Sequence, residues 1–391
     1  MSTPIEAHFE STRPLRILEI GGQPLAHLAV PDQTEFYWTG TKPRAYAKQA
    51  LGPMNFIRAM RKLRRGQFDL LIVHAPQYAP WHPRSFLTVL RDWNILAPVG
   101  LFATFVSRLI HLFHNTPIAV IDLDDSNRIG RHNYFLLRAC VAFFKRELPI
   151  DHWQVFCHAF FPNFPGRAWR SSAGHIEMVE KLRPISYGPT ALYFGLFSMP
   201  QQPSSPQKSS DIFFAGTVTG NSTVRLDGLL ELRALRDEGY VVDIPDKRLA
   251  PDEFFRRMSA AWLAWSPSGL GWECSRHYEA ALVGSVALMN TPTIALDLPL
   301  QDGVHCAHYS VEPGGLRQVA RRALADKARL RDLARAACKH VMLHHTLHAR
   351  IDRVTCTVLG RHLDGTRSTT YCGTDVPGSE RSHGRPVRRL T

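Results

Sequence analysis

The sequence predicts an α/β protein made of two doubly wound, Rossmann-like domains facing a cleft. Three observations lead there. Short continuous apolar runs alternate with segments of helical spacing, the pattern of buried parallel strands covered by helices. The alternation stops at residues 198–210, SMPQQPSSPQKSS, which are Pro/Ser/Gln-rich and aperiodic, and restarts beyond them. The chain has 391 residues, enough for two domains with cores of their own. The expected organisation is an N-terminal domain over 1–197, a linker over 198–210, a second domain over 211–363, and a basic tail over 364–391 expected to be disordered.

In the first half, residues 16–20 read as a strand ending in the tight turn Gly21-Gly22, and 34–38 as a second strand. Residues 55–65 read as a helix with a basic face, and 68–73 as a buried strand closed by His74. A helix is expected over 93–113 after Pro98, and a strand over 118–123 running into Asp124-Asp125-Ser126. Residues 133–148 have helical spacing, and Pro149 stops them. On that reading Lys145-Arg146-Glu147 sit at a helix end, where cations suit the dipole. The aromatic, irregular stretch 150–200 receives no assignment. In the second half the expected order is strand 211–216, helix 223–238, strand 241–244, helix 251–262, strand 262–265, helix 273–282 and strand 286–289, followed by helices over 315–360. Pro251-Asp252-Glu253 place proline and acids in a first turn, as a helix start requires.

Lys and Arg number 47 against 34 Asp and Glu, a formal charge of +13 that favours anionic partners without choosing among them. The seven cysteines (140, 157, 274, 306, 338, 356 and 372) include no C-x-x-C pair, so neither a disulfide framework nor a zinc site is expected, and a reducing cytoplasm is. The polar N-terminus lacks a signal core. Residues 94–106 are apolar but too short to span a membrane; a core helix is the first reading and docking on a membrane face the second.

The chemistry concentrates in SPSGLGWECSRHYEAALVGSVALM, residues 266–289. Gly269 and Gly271 sit in a loop of small residues that leads into the helix expected from about Glu273, with Ser275 in its first turn. Arg276 and Glu279, three apart, share a helix face. Loop and helix-terminal N–H groups together with an arginine suit a diphosphate, and a carboxylate one turn later suits a ribose diol. A second glycine loop, Gly216-Thr217-Val218-Thr219-Gly220, follows strand 211–216, with Arg225 one turn inside the next helix.

Arg276, Tyr278, Glu279, Ala280 and Gly284 form R-x-Y-E-A-x3-G ahead of an apolar strand. This resembles the donor-site motif of GT-B glycosyltransferases, the exostosin-like and CgeB-like groups above all. DIFFAG at 211–216 resembles the strand that opens their C-terminal domain, and HHTLHAR at 344–350 their closing helix. The resemblance covers residues 211–357. It implies a nucleoside-diphosphate sugar in the second domain, with Glu279 on the ribose, Arg276 on the diphosphate, and Ser275 and Tyr278 beside them. It also implies an acceptor hydroxyl (glycan, glycolipid, protein or natural product) in the first domain, near Gly21 and Gly22, and no essential metal. The retaining pattern pairs the motif glutamate with another eight residues earlier. Here that position is Gly271, and Glu273 is out of register, so inversion is favoured slightly.

An inverting transfer needs a base at the cleft. Asp124, Asp125 and His74, each at a strand's carboxyl end, are the candidates, against helix capping near Asn127 and a structural histidine. The triplet Asp122-Leu123-Asp124 resembles the manganese motif of GT-A enzymes, which conflicts with a two-domain layout. His344 and His345 read as helix-face residues. The basic helix, Arg58 to Arg65, suits an anionic surface such as the inner face of a membrane, against a merely solvated face. Two other functions stay open: a DNA-modifying glycosyltransferase or nucleic-acid binder, suggested by charge although no zinc finger or RNA-binding signature is present, and a non-catalytic scaffold of the same fold.

Overall fold

The apolar runs form strands because they are buried on both faces, which only a sheet sandwiched between helices allows. A computed structural model describes residues 13–39, 50–76, 115–156, 173–189, 207–218 and 222–366. The helix expected over 93–113, Gly220, most of the linker and nearly all of the tail lie outside these residues.

The first sheet contains β1 (Ile17–Gly21), β2 (Thr34–Trp38), β3 (Leu70–His74), β4 (Ile118–Asp122), β5 (Ala142–Lys145) and β6 (Leu182–Pro184). All pair in parallel, in the order β2-β1-β3-β4-β5-β6. Alternate residues feed opposite cores: Leu18, Leu71, Val120 and Phe143 point to one, Ile17, Ile72, Ile121 and Phe144 to the other. Helices α1 (Leu25–Ala29), α2 (Pro53–Arg64), α3 (Tyr134–Ala139) and α4 (Ala173–Glu180) lie between the strands in sequence. The second sheet, also parallel, has the order β11-β10-β9-β7-β8, from β7 (Ser210–Phe213), β8 (Val242–Asp243), β9 (Ala261–Trp265), β10 (Val286–Asn290) and β11 (Ala307–Tyr309). Its helices are α5 (Thr223–Asp237), α6 (Pro251–Ser259), α7 (Ser275–Leu282), α8 (Gly315–Leu324), α9 (Lys327–His344) and α10 (Leu347–Leu359). Two doubly wound parallel-sheet domains are therefore present, as expected.

The stretch 133–148 is not one helix. It divides at Cys140-Val141 into α3 and the strand β5, which lies between β4 and β6 and is buried along its whole length. Ala142-Phe-Phe-Lys satisfies strand and helix spacing alike. The edge of β4 decides, because without β5 its backbone groups would be buried unpaired. Lys145 consequently ends a strand and Arg146 and Glu147 follow it, where a helix end was expected, and all three are buried.

The last helix leaves the second domain for the first. Thr346 caps α10 by accepting from the Ala349 N–H at 3.2 Å, and Gly360, at φ +65°, ends it. Leu347, Ile351 and Val354 then pack with Ile17, Leu70, Ile72 and Ile121 of the first sheet. Arg350, almost fully buried, donates to the Tyr187 carbonyl at 2.9 Å. His345, read from sequence as a helix-face residue, is buried where the domains meet. Its Nδ1 lies 2.9 Å from Ser186 Oγ and its Nε2 2.9 Å from the Leu298 carbonyl, and burial pushes its pKa down to about 2.

Candidate functional site

In an open parallel sheet, ligands sit beyond the strands' carboxyl ends, where the strand order reverses. The second sheet reverses between β7 and β9. The segments after those strands border a cavity of about 240 Å³. Arg225, Gly269, Leu270, Gly271, Glu273, Cys274 and Ser275 line it from the second domain, and Asp125, Arg146 and Tyr187 from the first. The three from the first domain follow β4, β5 and β6, so the carboxyl edges of both sheets contribute.

The glycine loop owes its glycines to protein neighbours. A Cβ on Gly271 would stand 2.4 Å from Glu147 Oε1, and one on Gly269 would stand 2.7 Å from Arg225 Nη2. With no side chain at 271, the Glu147 carboxylate reaches across from the first domain and accepts from the Trp272 N–H at 2.8 Å and the Glu273 N–H at 2.9 Å. The Ser268 N–H goes to Asn290 Oδ1 at 2.8 Å and the Gly269 N–H to the Gly271 carbonyl at 2.8 Å. These four N–H groups, expected from the sequence to hold a phosphate, are thus committed within the protein. The amino end of α7 is different: no side chain caps it, and Cys274 and Ser275 open onto the cavity.

Two guanidinium groups meet beside that helix end. Arg225, 9% exposed, sends Nε to the Ser268 carbonyl at 3.0 Å and Nη1 to the Thr217 carbonyl at 2.7 Å. Arg276, 8% exposed, sends Nη2 to the Ala215 carbonyl at 2.7 Å, and its Nε and Nη1 are buried without a hydrogen-bond partner. Its guanidinium stands 5.3 Å from the Phe214 ring centroid, and Gly216 leaves room for it, since a Cβ there would lie 3.0 Å from Nη2. Among the described residues neither arginine forms an ion pair. Burial, reinforced by the charge of Arg276, lowers the pKa of Arg225. Buried cations without a counter-charge are costly, by several kcal/mol per ion even after relaxation, unless an anion joins them.

The structure thus gathers Gly216, Thr217, Arg225, Gly269, Gly271, Ser275 and Arg276. Glu279 lies one turn beyond Arg276 on α7 and is buried. Tyr278 is not at the pocket. Two positions along a helix turn a side chain by about 200°, so it enters the core, donates its hydroxyl to Glu273 and lies tilted against the His345 ring, 4.6 Å between centroids. Glu273, passed over in the sequence, is buried, accepts from the Tyr187 N–H at 2.9 Å, and has its pKa pushed up to about 7 by desolvation.

The candidate bases separate. Asp125 reaches the cavity, where it pairs with Arg146, whose guanidinium carbon lies 4.6 Å from the Tyr187 ring centroid. Asp124 accepts from the Asp125 N–H at 2.8 Å. Asp122 is buried, with Oδ2 on Lys145 Nζ at 2.9 Å and Oδ1 on the Asp124 N–H at 3.0 Å, so its carboxylate serves the strand ends. His74 lies with Gly21 at the first sheet's own reversal, between β1 and β3, and does not line the cavity. A Cβ on Gly21 would stand 2.4 Å from the His74 ring. Glu19 Oε1 holds His74 Nε2 at 2.9 Å, and the same carboxylate caps α1 through the N–H groups of Leu25, Ala26 and His27. Gly22 is exposed beside them. Arg146, Glu147 and Glu19 were missed. The signal for the first two was a charged triplet directly after an apolar run, the mark of a strand's carboxyl end.

On α2 and at its C-cap, Arg58, Arg61, Arg64 and Arg65 are exposed, with Met54 and Ile57 beside them, while Lys62 is tied to Glu35 at 2.6 Å. Among the described residues no helix is long and apolar enough to cross a membrane.

No family model matches the sequence, and no curated protein matches it. Among solved structures it is similar to HepE of Anabaena in complex with UDP and glucose, at 13% identity over 85% of this chain and 96% of that one, with a TM-score of 0.41. It is similar to a glycosyltransferase from Rickettsia africae, at 8% identity over 86% and 96%, with a TM-score of 0.47. It is also similar to sucrose-phosphate synthase from Thermosynechococcus elongatus, at 12% identity over 85% and 96%, with a TM-score of 0.44. These likenesses concern overall fold and give no residue a role.

Proposed function

We propose that the protein is a glycosyltransferase that moves a sugar from a nucleoside-diphosphate donor to an acceptor hydroxyl. The observation that carries this reading is the pair Arg225 and Arg276, buried at the reversal of a parallel sheet and forming no ion pair among the described residues. A diphosphate supplies the missing charge. As the sugar leaves, that diphosphate becomes more negative, and fixed guanidinium groups stabilise the transition state more than the ground state. The open amino end of α7 adds to the same effect. Glu279 is the proposed ribose ligand. Arginines and the helix end supply the positive charge, so the reading requires no divalent ion at this pocket. Position 271 carries no carboxylate of its own, and the one that stands there, Glu147, is committed to two N–H groups; direct displacement with inversion suits this arrangement.

For the base we favour His74. Glu19 holds Nε2, so proton abstraction would run through Nδ1. Asp125 is already paired with the Arg146 guanidinium. The exposed arginines of α2, with Met54 and Ile57, are the surface we propose rests on anionic lipid at the cytoplasmic face.

The test is calorimetric binding of UDP, GDP, ADP and dTDP with EDTA present, on wild type, Arg276→Ala and Glu279→Ala. One diphosphate should bind, and Arg276→Ala should weaken it roughly 10- to 100-fold, the loss of hydrogen bonds to a charged group. Folded wild type that binds none of the four overturns the reading in favour of a non-catalytic scaffold.

A further inference from the structure

Away from the pocket, where the chain returns to the first domain, three side chains of different donor chemistry converge. Asp352 and Cys356 are four apart on α10 and share a face. Gly360 turns the chain through a left-handed conformation, and His362 comes back over that face. His362 Nδ1 lies 2.7 Å from Asp352 Oδ2 and 3.1 Å from Cys356 Sγ, and the three donor atoms all lie within 4.8 Å of one another.

A nucleophilic relay is not what this geometry provides. A relay places the carboxylate on one ring nitrogen and the thiol on the other. Here both face Nδ1. One ring nitrogen offers either one proton or one lone pair. A single Nδ1–H shared between carboxylate oxygen and sulfur meets both acceptors. A cation in the place of that proton would be held by all three groups at once, because carboxylate oxygen, thiolate sulfur and imidazole nitrogen can all direct lone pairs to it.

We propose that Asp352, Cys356 and His362 bind a divalent cation of the zinc class, with water in the fourth position. Thiolate and imidazole select zinc over magnesium or calcium. Tetrahedral bonds of about 2.0–2.3 Å put donor atoms roughly 3.3–3.6 Å apart, so the observed 2.7 and 3.1 Å must open by about half an ångström. The side chains of His362 and Asp352 are 38% and 25% exposed, which leaves a path for the ion and its water. A supporting contact exists already: the Leu363 N–H donates to Asp352 Oδ1 at 2.8 Å and leaves Oδ2 for the metal. Leu363 is buried in the first domain's core, and its carbonyl accepts from the Leu15 N–H at 3.1 Å. The ion would therefore fasten the turn after α10 to the first domain. It has no part in the pocket chemistry.

The experiment uses the full chain, purified with chelator and dialysed free of it. Cobalt titration followed by absorbance should give tetrahedral bands and a thiolate-to-cobalt charge-transfer band that saturate at one ion per chain, and zinc should displace them. Cys356→Ser should abolish the charge-transfer band, whereas Cys306→Ser should keep it. His362→Gln, at a partly exposed position that a folded variant tolerates, should weaken binding by more than the roughly 10–100-fold expected for loss of an outer-shell partner. Zinc should also protect the Cys356 peptide from alkylation. Absence of a cobalt spectrum at excess metal overturns the proposal, as does a spectrum that survives either Cys356→Ser or His362→Gln unchanged.

Discussion

Substituting Gly271 by alanine should damage the protein through a residue more than a hundred positions away. The new Cβ would lie 2.4 Å from Glu147 Oε1 and 2.5 Å from its Cδ. Gly271 does not have a positive φ, so the backbone accepts alanine and the whole effect is steric. The Glu147 side chain is flexible in principle, but it is 2% exposed and holds the Trp272 and Glu273 N–H groups at 2.8 and 2.9 Å. Moving the carboxylate aside breaks one or both bonds. Hydrogen bonds to a charged group are worth about 1.5–3 kcal/mol each, so Gly271→Ala should cost about 2–4 kcal/mol and Glu147→Ala about 3–5 kcal/mol. The double variant decides the cause. Once Glu147 is truncated the clash is gone, and Gly271→Ala in that background should cost no more than about 0.5 kcal/mol. Urea unfolding of the four proteins gives the cycle, and amide exchange at Trp272 and Glu273 reports the local opening directly. If the two single costs add within error, the glycine is there for some other reason and the clamp is refuted.

Arg276→Met should stabilise the ligand-free protein by about 1 kcal/mol, because it removes a buried cation that forms no ion pair among the described residues. The same change should abolish the stabilisation that a bound diphosphate gives; thermal denaturation with and without nucleotide reads both, and a destabilised apo variant counts against an unbalanced cation. Burial depresses the pKa of His345 to about 2, far below an unfolded value near 6.5. Its contribution is therefore complete above about pH 6.5 and is lost as pH falls, by about 1.4 kcal/mol per pH unit. The penalty of His345→Gln should shrink at that rate between pH 6.5 and 5, and a penalty independent of pH would show that this histidine is not buried neutral. Gly228→Ala places a Cβ 2.2 Å from Trp265 Cζ2, in a core that the ring fills. The overpacking cost of about 1–3 kcal/mol should exceed the gain in helix propensity of at most about 1 kcal/mol, so melting temperature should fall.

The parts legible in the sequence are those whose cause is local. The runs of β3, β4, β9 and β10 are apolar up to their last residue, which only a doubly covered strand needs. Pro251, Asp252 and Glu253 do open a helix, α6, as their types require. The spacing of Arg276 and Glu279, and the glycines near them, place the pocket because a loop and one helix turn carry both. What escaped is what depends on distant partners. The segment Ala142–Lys145 reads equally well as helix, and only the neighbouring strands choose. Glu19 looks like an ordinary strand residue until α1 and His74 arrive at its carboxylate. Asp352, Cys356 and His362 match no cysteine-pair spacing, since a helix and a left-handed turn bring them together.

The glycine loop shows why that distinction matters for function. Small residues after a strand and before a helix invite the inference that backbone N–H groups cradle a phosphate. Here the invitation is taken up by the protein itself, through Glu147. An anion entering this pocket meets a loop whose donors are largely committed, and beside it two arginines that form no ion pair among the described residues and an uncapped helix end. Affinity must then come mainly from guanidinium groups, which act at longer range and are screened by salt. Diphosphate binding should accordingly weaken with ionic strength more than a cradle of neutral N–H groups would allow. Isothermal titrations at low and high salt test this: a Kd that does not move would return the phosphate to the loop and leave Arg225 and Arg276 with a structural role.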